Sequence, residues 1–213
     1  MEITSLKQYK GAVYEVELDD SRKLYLHADI IADFGLRTGT QLERAELRKI
    51  VYASNYRRAF QRALYLLDYR DYSYKEMFGK LVQTYKNEEL CFAVMKKLTE
   101  IGVINDVRYA EKLARKLVEV KRFGLIRAKR ELLAKGIDRF TAEDALEEYR
   151  HCTAENLAYL LETKYSRLLA DETDIKSIEK VKSALVRYGY GFSEVGCAVR
   201  EYFENAYDSQ EDI

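Results

Sequence analysis

The sequence predicts a mainly α fold: tandem three-helix repeats in an elongated array, with a small N-terminal β-hairpin element. Three observations predict it. Proline is absent from the 213 residues, although about ten would be expected at ordinary usage. Proline removes a backbone donor and clashes with the preceding helical turn, so its absence leaves long stretches free to be helical. An apolar pattern also recurs three times, about 50 residues apart. Finally, only the first 40 residues alternate with the period of a strand.

Taken in order, Val13 to Leu18 place Tyr14, Val16 and Leu18 on one face. Residues 19–22 are a turn cluster, and residues 23–27 alternate again, which reads as a hairpin. Residues 4–9 are a candidate third strand. Residues 28–34 read as a short helix closed by Gly35. From Gln41 the period becomes helical. Leu42, Ala45, Leu47, Ile50 and Val51 mark one helix, and Ala59, Ala63, Leu64, Leu66 and Leu67 a second. Ser73 with Glu76 fits a capping box, in which each side chain satisfies an orphan N–H at the helix start. Thr141 with Asp144 is a weaker version. Gly102, Gly124, Gly136 and Gly189 each follow an apolar periodic segment and are expected to end helices in the left-handed conformation.

The repeat rests on spacing. Leu81 to Val94, Leu132 to Ala145 and Leu185 to Ala198 are each 13 positions apart, and an apolar helix precedes each pair. The unit is helix, helix, turn, helix, the signature of a repeat array whose members stack and bury one another's faces. The expected divisions are 1–54 (β-containing extension and first helix), 55–106, 107–151, and 152–213 (third repeat and acidic tail). The first copy has Tyr85 where the others have Gly136 and Gly189, so its turn needs another cap, for which Asn87 is the candidate.

Composition excludes several functions. No apolar run exceeds about five residues, against the roughly 20 of a membrane helix. The start Met1-Glu2-Ile3-Thr4 lacks a basic-then-apolar leader, so a cytoplasmic protein with no membrane contact is expected. Cys91, Cys152 and Cys197 are far apart, and with His27 and His151 they offer no zinc spacing. Buried apolar thiols are expected instead. No phosphate loop, dinucleotide turn or nucleophile elbow is present. The expectation is a protein that is not an enzyme and has no cofactor and no metal.

Lysine plus arginine and aspartate plus glutamate number 36 each, but the zero net charge hides segregation. Between Arg108 and Lys135 ten basic residues face three acids, while from Glu194 to the end six acids face one base. On the helix over residues 109–120, Ala110, Leu113, Ala114, Leu117 and Val118 form the apolar stripe. Lys112, Arg115, Lys116 and Glu119 fall opposite. A basic face can hold phosphates by charge alone or dock on an acidic protein groove. The candidate partner- or nucleic-acid-binding residues are Arg70, Lys75, Arg108, Lys112, Arg115, Lys116, Lys121, Arg122, Arg127, Lys129 and Arg130. Tyr65, Tyr69, Tyr72 and Tyr74 cluster near Arg70, where aromatics among bases can stack on single strands. Most of the 18 tyrosines, at helical spacing, read as half-buried core.

The run from Leu67 through Arg70, Ser73 and Glu76 to Lys80-Leu81 resembles the L-x-x-R-x-x-S-x-x-E…K-L segment of RecX proteins. Leu98, Gly102, Ile104, Asn105-Asp106, Arg108 and Tyr109-Ala110 are similar to the family's next segment, and Gly124, Arg127, Leu132 and Lys135-Gly136-Ile137 to the one after. The resemblance covers residues 59–137 and extends to about residue 202. It implies helical repeats lying in the groove of the RecA–DNA filament and restraining its ATPase, strand-exchange and co-protease activities. It carries over no catalytic residue. The expected partner is the RecA filament, with weak direct contact to single- or double-stranded DNA, and the chain is expected to be a monomer. The alternative is a stand-alone helical DNA- or RNA-binding module, against which the neutral total charge and acidic C-terminus weigh.

Overall fold

A computed structural model describes residues 1–211, with side chains through Asn205. The acidic residues Asp208 and Glu211 therefore have no described side chains, and Asp212 lies outside the described residues. The chain forms two compact units, one of Met1–Tyr72 with Met77–Ile104, the other of Ser73–Glu76 with Asn105–Ile213.

In the first unit the N-terminal element is a three-stranded antiparallel sheet, β1 (Ile3–Lys10), β2 (Val13–Leu18) and β3 (Lys23–His27), in that order. Val16 pairs with Leu6 on one side and Leu24 on the other. The hairpin and the candidate third strand are thus one sheet. Its apolar face buries Ile3, Val16, Leu18 and Leu26 against Ile30 of helix α1 (Ala28–Asp33) and Leu47 and Ile50 of α2 (Arg44–Leu67). His27 caps α1, its Nδ1 accepting from the Asp29 N–H at 3.2 Å, and Gly35 follows at φ +59°.

The two helices expected beyond Gln41 are one helix of 24 residues. Glu43 and Glu46 cap its start reciprocally, and no glycine or proline interrupts it. The apolar pattern changes phase because the helix changes partner. Its first half packs on the sheet, and its second half turns Ala59 and Ala63 inward and packs on α4 (Glu88–Glu100). Helix α3 (Tyr74–Tyr85) supplies Met77 and Leu81 to the core of this module, and α4 adds Leu90, Cys91, Val94, Met95 and Leu98. The turn without glycine places Lys86 at φ +49°, and Asn87 caps α4 by accepting from the Leu90 N–H at 3.0 Å.

The second unit repeats one plan twice. Helix α5 (Asp106–Arg115) runs into a π turn (Lys116–Val120), followed by α6 (Leu125–Ala134) and α7 (Arg139–Glu147). Helix α8 (Cys152–Leu160) also runs into a π turn (Leu161–Tyr165), then a short 3-10 turn, α9 (Ile175–Tyr188) and α10 (Phe192–Glu211). The first π turn, closed by the Lys121 N–H on the Lys116 carbonyl, inserts a residue that lets consecutive Leu117 and Val118 both reach the core. Leu132, Ile137, Ala142 and Leu146 complete that core; Leu157, Leu161, Val181, Leu185 and Val195 fill the next.

Three expectations are corrected. Gly124 has φ −66° and starts α6 rather than ending a helix, whereas Gly102, Gly136 and Gly189 are left-handed. Helix α7 begins three residues earlier than Thr141 would place its cap. Asp138 caps it, accepting from the Phe140 and Thr141 N–H groups. Of the cysteines only Cys91 is buried; Cys152 is half-buried and Cys197 exposed. Among the described residues no helix is long and apolar enough to cross a membrane.

Candidate partner-binding surface

The basic segment is shaped by its caps. Asn105 starts α5 by accepting from the Arg108 N–H at 3.0 Å. With that start fixed, Arg108, Lys112, Arg115 and Glu119 recur at helical spacing, and all are exposed, as is Lys116 beside them. Ala110, Ala114, Leu117 and Val118 are buried beneath them. Arg115 Nε donates to Glu119 at 3.0 Å, an exposed pair of the kind worth little to stability.

Folding sets this row against acids that are distant in sequence. A groove of about 930 Å³ lies between α5 and α7. Lys112 and Arg115 line it, but so do Glu111, Glu119, Asp144, Glu147 and Glu148. At its edge the buried Tyr149 hydroxyl is pushed up to about 12, first by burial and then by its bond to Glu148. The sequence excess of base over acid in this segment therefore becomes a cationic ridge beside an acid-walled groove, because α7 folds back along α5.

The remaining candidates are distributed differently. Arg122, at φ +54°, donates to the buried Asn156 side chain and lies 4.9 Å from the Tyr159 ring. Asn156 in turn donates to the Val118 carbonyl at 3.2 Å, and the Tyr190 hydroxyl donates to the Arg122 carbonyl at 2.7 Å. Arg127 stacks 3.8 Å over Phe123, which meets Tyr188 edge-on. These side chains join the α5–α7 module to the α8–α10 module. Lys129 is held by Glu143 at 2.5 Å, a carboxyl kept below its usual range by Lys129 and Arg139. Lys121 is exposed, 5.5 Å from the Phe123 ring, and Arg130 is exposed on α6.

Lys75 is exposed at its tip, but its stem lies over the Gly136 turn, where an added Cβ would sit 2.4 Å from the Lys75 Cβ. Around it Ser73 Oγ donates to the Lys135 carbonyl at 2.6 Å and accepts from the Glu76 N–H, while Lys135 Nζ donates to Glu76 at 2.9 Å. Arg70 belongs to the first unit, its guanidinium 3.7 Å over the buried Tyr72 ring. Sequence reasoning missed Asn156 and Tyr190. The only signal was an asparagine inside an otherwise apolar helical stripe.

A sequence model of the family described as "RecX, second three-helix domain" matches residues 105–146. The regulatory protein RecX of Clostridioides difficile (strain 630) is 28% identical over 193 residues, spanning 89% of this chain and 90% of the relative. That of Streptococcus sanguinis (strain SK36) is 27% identical, spanning all of this chain and 82% of the relative. A crystal structure of a regulatory protein RecX superposes with TM-score 0.72 at 24% identity, over 91% of this chain and 96% of that one, a likeness of fold. RecX from Lactobacillus salivarius gives TM-score 0.65 at 28% identity, over 70% of this chain and 97% of that one. In the matched helices α5–α7, and at 27–28% identity over nearly its whole length, the chain is similar to regulatory proteins named RecX.

Proposed function

We propose that this protein is a regulator that binds the RecA–DNA filament and restrains its recombinase, ATPase and co-protease activities in DNA repair and the SOS response. The relatives' name, regulatory protein RecX, supports the regulatory part. The family resemblance supplies the filament as partner. The observation that carries a binding role is the exposed cationic ridge of α5, which the buried stripe beneath it leaves free of core packing. In this reading the helical modules 55–106, 107–151 and 152–213 act as successive binding units. The protein works as a cytoplasmic monomer with weak direct contact to DNA, and no catalytic step or cofactor is assigned.

The test is co-sedimentation with RecA, with and without single-stranded DNA and nucleotide, alongside DNA-dependent ATP hydrolysis. Hydrolysis falls at near-stoichiometric ratios; an unchanged rate at excess protein overturns the proposal. Arg115→Glu with Lys116→Glu sharpens it. Reversing exposed charges changes stability by less than about 0.5 kcal/mol, whereas at a complementary surface it weakens and slows association. Preserved melting with weaker binding, more so at low salt, is expected. Unchanged binding at every salt concentration would remove the ridge from the interface.

A further inference from the structure

We propose that the first unit carries a track for single-stranded nucleic acid, formed by Tyr9, Tyr25, Arg58, Arg62, Tyr65 and Tyr69. This rests on the direct DNA contact of the proposed function and gives it a place, in a different unit from the α5 ridge, and a strand preference; its test omits RecA.

The track arises from how α2 is used. One face of α2 runs through Leu47, Val51, Ser54, Arg58, Arg62 and Tyr65. Its first part is covered by the sheet. Beyond the sheet the same face emerges as arginine and tyrosine. Helix α2 holds six basic residues, Arg44, Arg48, Lys49, Arg57, Arg58 and Arg62, against one acid, Glu46.

The aromatic and cationic groups connect in space. Tyr9 and Tyr25 lie with ring centroids 4.9 Å apart and are 64% and 38% exposed. Arg58 donates to the Tyr25 carbonyl at 2.7 Å, which fixes the guanidinium beside that pair. Arg62 sits 5.5 Å from the Tyr65 ring, and the Tyr65 and Tyr69 hydroxyls share a hydrogen bond of 2.8 Å. Tyr65 and Tyr69 are 51% and 71% exposed, so these two are not the half-buried core that helical spacing led us to expect. Glu15 is occupied by Lys23 and Tyr25, and Asp68 adjoins Tyr69.

Arginine supplies charge complementarity to phosphate, and exposed rings supply stacking faces that tolerate any base. A duplex keeps its bases stacked and cannot use these rings. An acidic peptide would use the arginines and leave the rings idle. The combination selects an unpaired strand. Arg58 to Tyr65 spans about 10 Å along the helix.

The test is fluorescence anisotropy of a labelled oligothymidine and of its duplex with oligoadenosine, using the full chain without RecA. The single strand binds more tightly than the duplex. Tyr65→Ala with Tyr69→Ala weakens single-strand binding at least about 10-fold, since each lost stack costs about 5- to 150-fold, with the salt slope unchanged. Arg62→Gln lowers that slope by about 0.7. Should circular dichroism show the alanine pair unfolded, Tyr65→Leu with Tyr69→Leu keeps apolar bulk without a π face and carries the same expectation. Lys176→Glu with Lys180→Glu, exposed on α9 and outside the track, binds the oligonucleotide like the parent. Equal binding of strand and duplex, tyrosine variants that bind like the parent, or loss of binding only in the Lys176/Lys180 variant would overturn the proposal. Failure of filament regulation would leave this assay untouched, so the two readings fail separately.

Discussion

The turns at Gly136 and Gly189 occupy the same place in successive repeats, and each receives the start of an earlier helix. At Gly136 the incoming segment is Ser73–Glu76, and it is joined by side chains: the Ser73 hydroxyl, the Lys75 stem and the Glu76–Lys135 ion pair. At Gly189 the incoming segment is the start of α6, and beside the Arg122 and Arg127 side-chain contacts the closest approach is backbone on backbone. The Gly124 N–H donates to the Tyr188 carbonyl at 3.0 Å, and the Ile126 N–H donates to the Gly189 carbonyl at 3.1 Å. An added Cβ on Gly124 would fall 2.2 Å from the Gly189 carbonyl oxygen. One repeat geometry is thus satisfied by two chemistries. The first can relax by moving side chains; at Gly124 the nearest atoms of the second are all main chain.

Gly124→Ala is the strongest way to break the comparison. The clash is with main chain, so the two modules must separate locally or distort. A loss of at least about 3 kcal/mol is expected in urea unfolding, in the range reserved for overpacking and strain. A change below about 1 kcal/mol would mean the backbone contact is not tight. Gly136→Ala should cost less, about 2 kcal/mol, part of it from the left-handed φ of +87°. Its packing part has a side-chain cause, so Lys75→Gly in the same chain should restore some stability. A double-mutant cycle should give favourable coupling of about 1 kcal/mol. No deletion of one side chain should rescue Gly124→Ala in the same way.

Much of the fold was legible because local signals act locally. Alternation at Val13–Leu18 and Lys23–His27, the Ser73 cap and the left-handed glycines all depend on residues close in sequence. The equal 13-residue spacings caught the repeat because helix, turn and helix must have fixed lengths to stack. The continuity of α2 was hidden because its buried face shifts between two partners. The role of Gly124 was hidden because its reason lies 65 positions away, at Gly189. The candidate site was legible as composition but not as a surface. Counting bases from Arg108 to Lys135 could not reveal that α7 would bring Asp144, Glu147 and Glu148 alongside. Nor could it show that Arg122 and Arg127 turn toward the next module.

Tyr190→Phe sharpens the second joint on a smaller scale. The hydroxyl is almost fully buried and donates to the Arg122 carbonyl; burial raises its pKa well above the usual tyrosine value. Removing it keeps the ring packing and leaves a carbonyl without this donor. A loss of about 1 to 2 kcal/mol is expected in thermal or urea unfolding, with a native circular dichroism spectrum. No loss would show that water or another donor replaces the tyrosine.

Asp106→Asn tests the first joint through pH and carries the smallest effect. Asp106 Oδ1 accepts from the Tyr74 N–H at 2.7 Å, linking α5 to the incoming segment. Burial raises the carboxyl pKa above its usual value; the Tyr74 N–H opposes this, and the Asp138 charge adds to it. A carboxylate with a raised folded pKa binds its proton more tightly folded than unfolded. Its ionisation therefore opposes folding at neutral pH, and that penalty fades as pH falls through the folded pKa toward the unfolded one. Asparagine keeps the oxygen acceptor and removes the charge. The variant should match or exceed the parent at pH 7 by less than about 1 kcal/mol, and the difference should close as pH drops into the carboxylate range. Melting temperatures measured from neutral to acid pH check this. A variant less stable than the parent at pH 7, with the deficit closing in acid, would show that the charge itself, at the first turn of α5, holds the joint.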